Sequence, residues 1–284
     1  MPSLHRFAHQ ASFQARFSRA TDSADMGALL TAQNISFAYD GRPILERVSL
    51  TLEAGEFVGL IGVNGSGKTT LLRVLIGLLP ASGEVEICGD QLRSLSRREI
   101  ARRATLVQQD TRVDFAFTAR EIVAMGRTPY LGRFTAESAV DKEAVARAMR
   151  ETRTEVFAER PVTELSGGER QRVQLARAIA QETPVILLDE PTANLDLRHQ
   201  LDALQLVRGF TRTNGAALAA IHDLSLASRF CDRILLLSQG RIIAAGRPAE
   251  VITENNLSRY FALRARVWRD EETGSLIICP LGTN

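Results

Sequence analysis

Lys68 lies in the stretch GVNGSGKTT, Gly62 to Thr70, and is one of only two lysines in a chain that carries its other side-chain cations on arginine. The stretch meets the spacing GxxxxGK[ST] through Gly62, Gly67, Lys68 and Thr69. Glycines at this density, with Gly65 between the other two, let the backbone curl until its N–H groups point inward, and such a ring binds phosphate oxygens. Val63, Asn64 and Ser66 supply the rest of the cradle, and Thr70 continues it into the next element. A lysine ammonium is a compact charge that suits a tight loop better than the planar fork of arginine. Lys68 is therefore expected at the β- and γ-phosphates of a nucleotide, and the Thr69 hydroxyl at Mg²⁺.

Two further stretches carry chemistry. PVILLDE is an apolar run ending in two carboxylates, Asp189 and Glu190. Beside a phosphate cradle the first carboxylate would complete the Mg²⁺ shell, and the second would orient or deprotonate an attacking water. ELSGGERQRVQLARA places Ser166, Gly167 and Gly168 before a helical pattern, which makes a second anion-binding N-terminus. The same SGGE also reads as an ordinary capping box of Ser166 with Glu169. Two phosphate-binding N-termini serve one nucleotide most simply when one comes from a second molecule, so the pattern points to a head-to-tail dimer with composite sites.

The elements that must position these residues follow from periodicity. LLTAQNISFAYDG and VSLTLEAGEFVGLIG are strand-rich, KTTLLRVLIGLL is expected as a helix buried against a sheet and stopped by LPASGE, and EVEICG and ATLVQQD flank a helix in SRREIARR. Between about Asp110 and Val162 the helical patterns TAREIVAMGR and AVDKEAVARAMRET replace strands, which marks an inserted helical subdomain. The α/β rhythm then resumes: a helix from Ser166, a strand in PVILLDE, a helix in LRHQLDALQLVRGF, a strand in AALAAIHD and a helix in LSLASRFC. RILLLSQGRIIAAG reads as a hairpin, PAEVITENNLSRYF as one terminal helix, and SLIIC as part of a small hairpin. Strands that are apolar throughout suit a parallel sheet covered on both faces.

Composition excludes several classes. The 284 residues are 45% hydrophobic with a formal net charge of +2, too small to argue for a nucleic-acid or membrane-surface protein and nearly silent on partners. Cys88, Cys231 and Cys279 form no CxxC pair and the four histidines lack metal-ligand spacing, so neither a disulfide framework nor a zinc cage is indicated. No apolar run reaches the roughly 18 to 20 residues that span a bilayer. The first 25 residues faintly resemble an organellar transit peptide; the plainer reading is a disordered tail, or a start at Met26.

From about Leu29 to Phe261 the sequence resembles the ATP-binding cassette (ABC) ATPases. GVNGSGKTT looks like their Walker A motif, LSGGERQ their signature, VILLDE their Walker B, ANLD (Ala193 to Asp196) their D-loop, and AIHDLSLA the stretch of their switch histidine, His222. The resemblance implies an α/β P-loop NTPase fold with a parallel sheet, an antiparallel β subdomain and an inserted helical subdomain at about 110–162. The cassette would occupy 29–262, between an N-terminal extension (1–28) and a C-terminal tail (263–284). It implies ATP and Mg²⁺ as cofactors and a homodimer in which ATP on one P-loop is closed over by the partner's signature. Lys68, Glu190 and His222 would be catalytic, and Thr69, Gln109 and Asp189 would hold the metal. Tyr39 would stack on adenine and Asp196 would join the nucleotide-binding set. In LVQQD, Gln109 rather than Gln108 fits the family's Q-loop position, and Gln108 stands where a proline is frequent.

EIVAMGRTPYLGRF, PTANLDLRHQ and HDLSLASRFCDRILLL resemble the cassettes of importers for iron-siderophore complexes, haem and cobalamin. This implies a separate membrane permease docking between Gln109 and Arg127 to Phe134, a substrate-binding protein outside the membrane, and a peripheral place on the cytoplasmic face of the inner membrane, with no nucleic acid partner. The competing class, soluble ABC ATPases acting on nucleic acid or ribosomes, usually carries two cassettes or a long coiled-coil insertion. Neither is present here.

Overall fold

The computed structural model describes residues 27–108, 116–132 and 136–283. Strands β1 (Leu30–Tyr39) and β2 (Arg42–Leu52) pair antiparallel, β3 (Phe57–Ile61) is buried at every position, and α1 (Lys68–Leu75) follows the glycine loop. The short β4 (Ser82–Ile87) and β5 (Asp90–Gln91) complete a four-stranded antiparallel sheet in the order β2-β1-β4-β5. Then come α2 (Arg97–Arg103), β6 (Ala104–Val107), α3 (Ala119–Ala124), α4 (Ala139–Glu151), α5 (Gly167–Ala180) and β7 (Val185–Asp189). After them lie α6 (Leu197–Thr211), β8 (Ala216–Ala220), α7 (Leu224–Phe230), β9 (Arg233–Ser238) and β10 (Arg241–Gly246). The chain closes with α8 (Pro248–Val251), α9 (Glu254–Phe261), β11 (Leu263–Arg269) and β12 (Leu276–Thr283).

The central sheet runs β10-β9-β3-β8-β7-β6, parallel except for β10 at one edge. β3, β7 and β8 are buried at all positions, which is what their apolar or small residues require, Asp189 at the end of β7 being the one carboxylate among them. One core lies between the two sheets around Leu71, Leu72 and Leu75 of α1. A second, on the opposite face, gathers α6, α7, α9 and the last hairpin, and a third fills the helical subdomain. The fold expected from the sequence, a parallel sheet with antiparallel strands and inserted helices, is the one observed.

Several local expectations change. The helix after the glycine loop ends at Leu75 rather than at LPASGE, because Gly77 takes a left-handed φ of +70°. Its N–H bonds to the Val74 carbonyl at 3.0 Å and that of Leu78 to Arg73 at 2.9 Å, the double bond pattern of a glycine-terminated helix. The single terminal helix is two, α8 and α9, since Thr253 caps a new start by accepting from the Asn256 N–H at 3.2 Å. The tail does form a hairpin, β11 with β12, and Ala265 and Leu276 enter the second core, so it is part of the packed body. The helical subdomain reaches beyond residue 162: Val173, Ala176 and Ala180 of α5 complete its core.

The segment Met125–Tyr130, a 3-10 turn after α3, holds one side chain of the expected permease surface inside the protein. Arg127 is only 1% exposed. Its guanidinium donates to Asp141 Oδ1 at 3.0 Å, to the Ala180 carbonyl at 2.7 Å and to Glu182 Oε2 at 2.8 Å, and it stacks on Tyr130 at 4.1 Å. The Tyr130 hydroxyl donates to the Gln181 carbonyl at 2.9 Å, and Arg98 and Arg102 of α2 both donate to the Pro129 carbonyl. A Cβ on Gly126 would stand 2.4 Å from the Arg177 carbonyl oxygen. Arg127 is therefore a clasp inside the protein, fastening the turn to α4 and α5. Of the rest of that surface Thr128 and Gly132 are exposed, and Gln109, Arg133 and Phe134 lie outside the described residues.

Removing one partner from a buried ionic group strands the others, so Arg127→Ala should lower stability by about 3–5 kcal/mol, and Lys should not restore it because it lacks the fork. The Ser138 hydroxyl, and after it Arg127, hold the Asp141 carboxyl below its ordinary range. Its stabilisation is complete above the unfolded carboxylate range and is lost as pH falls through the lower, folded value. Asp141→Asn should therefore flatten the acid limb of a stability-pH curve measured by denaturant unfolding.

Candidate nucleotide site

The C-terminal ends of β3, β8 and β7, neighbours in that order, deliver the glycine loop, His222 and the Asp189–Glu190 pair to one edge of the sheet. Ligand sites of open α/β sheets form at this edge because the loops leave the strands there. Gly62 has φ +155°, and a Cβ on it would sit 2.2 Å from the Leu237 carbonyl oxygen of β9. Gly67 opens α1 at φ +107°, with Leu45 and Ile44 of β2 close behind it. The loop is thus pressed on the β9–β10 hairpin and β2, and Gly240 N–H donates to the Ser66 carbonyl at 3.2 Å. Leu237, Gly240 and Ile44 are supports that the loop pattern by itself does not disclose.

Lys68 is 5% exposed, and its Nζ donates to the carbonyls of Gly62 at 2.8 Å and Val63 at 3.2 Å. Burial lowers its pKa, while Glu190 and Asp189 pull it back up. Ser66 Oγ is buried without a hydrogen-bond partner among the described residues. A buried ammonium resting on backbone carbonyls and an orphaned hydroxyl at a helix N-terminus together fit a phosphate group.

The Thr69 hydroxyl donates to Asp189 Oδ1 at 3.0 Å. Burial raises the Asp189 pKa and the Glu190 charge adds to it, against the Thr69 bond and the charges of Arg73 and Lys68. A hydroxyl and a carboxylate are hard oxygen donors of the kind Mg²⁺ takes. Among the described residues there is no cluster of three or more His, Cys, Asp or Glu that could cage a metal alone. Of the expected metal residues, Thr69 and Asp189 are brought together.

Glu190 follows β7 with φ +53°, a left-handed conformation uncommon for a glutamate. This bend lets its carboxylate meet His222, whose Nε2 hydrogen-bonds to Glu190 Oε1. A carboxylate only accepts, so the proton of that bond resides on Nε2. The sequence assigned both residues to one water without showing that they touch. Tyr39, 43% exposed at the end of β1, leans edge-on against Phe37 with ring centroids 4.7 Å apart.

At the start of α5, Ser166 and Gly167 are exposed. Ser166 caps the helix: its Oγ accepts from Glu169 N–H at 3.3 Å, and Glu169 Oε2 accepts from Ser166 N–H at 2.8 Å. Gly168 is buried beneath His199, where a Cβ would lie 2.4 Å from ring atom Cδ2. Asp196 caps α6, and its Oδ1 accepts from His199 N–H at 2.9 Å. The contact of His199 with Gly168 escaped the sequence reading, since only the fold brings residues 31 positions apart together.

The family described as ABC transporter matches residues 45–193. The hemin import ATP-binding protein HmuV of Streptomyces coelicolor is 42% identical over 253 residues, which is 89% of this chain and 90% of that protein. The chain belongs to the ABC transporter family. The ferric enterobactin transport ATP-binding protein FepC of Escherichia coli is 38% identical, covering 90% of this chain and 95% of that protein. The cobalamin import ATP-binding protein BtuD of Halobacterium salinarum is 46% identical over 85% of this chain, which spans only 61% of that relative's length. Among solved structures, a transporter assigned to the metal-chelate ABC type, inward-facing, matches with a TM-score of 0.79 and 28% identity over 90% of this chain and 98% of that one. A dimeric bacterial ABC transporter cassette matches with a TM-score of 0.68 and 28% identity over 77% of this chain and 98% of that one. No helix among the described residues of this ABC cassette is long and apolar enough to cross a membrane.

Thr69→Val removes the donor to a buried carboxylate, so the nucleotide-free protein should lose about 1–3 kcal/mol of stability. Denaturant unfolding measured in chelator checks this, and an unchanged midpoint would show that the bond contributes nothing.

Proposed function

We propose that this chain is the ATP-hydrolysing subunit of an ABC importer, coupling ATP binding and hydrolysis to uptake of an iron-siderophore complex, haem or cobalamin through a separate membrane permease. The observation that carries the catalytic half is the convergence of Lys68, the Thr69–Asp189 pair and the Glu190–His222 pair on one sheet edge. The importer half rests on relatives whose names specify hemin, ferric enterobactin and cobalamin import.

ATP would lie with its phosphates on the loop from Gly62 to Thr70 and its adenine against Tyr39. Lys68 releases the Gly62 and Val63 carbonyls as it takes up phosphate oxygens, exchanging a neutral partner for a charged one. Thr69 and Asp189, with Gln109, would hold Mg²⁺, which when bound neutralises charge developing on the phosphates. Glu190 is placed to take a proton from the attacking water or to orient it, and the N–H of His222 fixes which way its carboxylate faces. The partner subunit's signature, Ser166 to Gly168, would close the site, and hydrolysis would reopen it. Two subunits, a permease and an extracytoplasmic binding protein form the assembly, with the cassettes on the cytoplasmic face.

Replacing Glu190 with Gln keeps shape and hydrogen bonding but removes the base. ATP binding should stay within about twofold while turnover falls by at least about 100-fold. Hydrolysis at the parent rate would remove Glu190 from this role. The same variant, tagged and held in Mg-ATP, should bring a multi-spanning permease out of detergent-solubilised membranes of the source cell. The ligand of the cognate binding protein would then name the substrate; ribosomal or DNA-repair proteins in place of a permease would favour the soluble class.

A further inference from the structure

His199 lies in PTANLDLRHQ, where it has no role assigned, yet its ring covers the one buried glycine of the signature. Its ring is so close to Gly168 that a Cβ there would stand 2.4 Å from Cδ2, 2.5 Å from Cγ and 2.8 Å from Nε2. The ring is not free to choose this position. Asp196 Oδ1 accepts from both the backbone N–H of His199 and ring Nδ1, at 2.9 and 2.8 Å. A carboxylate held ionised by these bonds must receive a proton from Nδ1, which fixes both tautomer and ring plane. The backbone behind it is also tied: Gln200 Nε2 donates to the Thr192 carbonyl at 3.3 Å, and Ala193 N–H to the Glu190 carbonyl at 3.1 Å. A short hydrogen-bonded segment therefore runs from Glu190, at this subunit's own nucleotide, to the ring on Gly168, which would face the partner's nucleotide.

We infer that His199 is a positioning residue that locks the D-loop to the signature of the same subunit, so that the site a subunit hydrolyses and the site it closes move as one piece. The inference rests on the composite-dimer reading above. Gly168 is glycine for two reasons under this arrangement: the approach of phosphate from one side and the ring from the other. His199 touches neither nucleotide nor metal in this scheme and acts through Gly168 and Asp196 alone.

The consequence separates two quantities that a general loss of structure would lower together. ATP binding to a single subunit uses the loop at Lys68 and does not involve the signature, whereas ATP-dependent dimerisation does. In a Glu190→Gln background, His199→Ala should weaken Mg-ATP-dependent dimerisation by at least about tenfold, read by light scattering across a concentration series, while affinity of the monomer for a fluorescent ATP analogue stays within about twofold. His199→Gln serves as the second variant if Ala does not fold, since it retains an N–H for Asp196 but has no ring for Gly168. Gly168→Ala should be better tolerated alongside His199→Ala than alone, because the ring it would strike is gone. Dimerisation within about twofold of the background, with analogue binding intact, would overturn the inference and leave the dimer reading standing. Failure of the Glu190→Gln background itself to dimerise in Mg-ATP would overturn both.

Discussion

The burial of one ammonium group organises the nucleotide end of this protein. Lys68 has lost nearly all contact with water, and burial works against its charge. Two backbone carbonyls and the carboxylates of Glu190 and Asp189 oppose that cost. For the carbonyls to reach Nζ the loop must turn back on itself, so Gly62 takes a φ that side chains rarely adopt and lies against the Leu237 carbonyl. That contact makes the β9–β10 hairpin, far along the chain, a structural part of the loop.

Sheet order then decides which groups can cooperate. β8 lies between β3 and β7, so the residue after Ile221 emerges beside both the lysine loop and the acidic strand end. His222 reaches Glu190 only because Glu190 bends into a left-handed conformation as β7 ends. Such a residue persists where its surroundings hold it in place, and here the turn to Ala193 and the bond to His222 do so. The hydroxyl of Thr69 and the carboxylate of Asp189, 120 positions apart, meet for the same topological reason.

α5 joins this edge to the helical subdomain. Its N-terminal turn bears the signature, and its C-terminal end is held by the Arg127 clasp through the Ala180 carbonyl and Glu182. At about 1.5 Å per residue its 14 residues form a rod of roughly 21 Å. The 3-10 turn at Met125–Tyr130 and Ser166 therefore lie at opposite ends of one helix, whose Val173, Ala176 and Ala180 are packed into the subdomain core. Arg127 and Pro129 of that turn fasten α2, α4 and α5 together.

The sequence alone determined the phosphate loop, the acidic strand end, the signature and the alternation of strands and helices. Each is encoded within about a dozen neighbouring residues: GxxxxGK[ST] spacing needs no distant partner, and a run such as VILLD can only be an interior strand. Where local rules competed, it was less certain. Gly77 ended α1 before Pro80 could, and Thr253 began a new helix inside what reads as one, since a left-handed glycine or a capping hydroxyl outweighs continued apolar periodicity. Tertiary structure decided everything that depends on meeting across the chain: the contact of Glu190 with His222, the ring of His199 on Gly168, the support of Gly62 by Leu237, and the burial of Arg127. No spacing rule reports such pairs, because they arise from strand order and helix packing, and those are settled only when all the apolar faces are buried together.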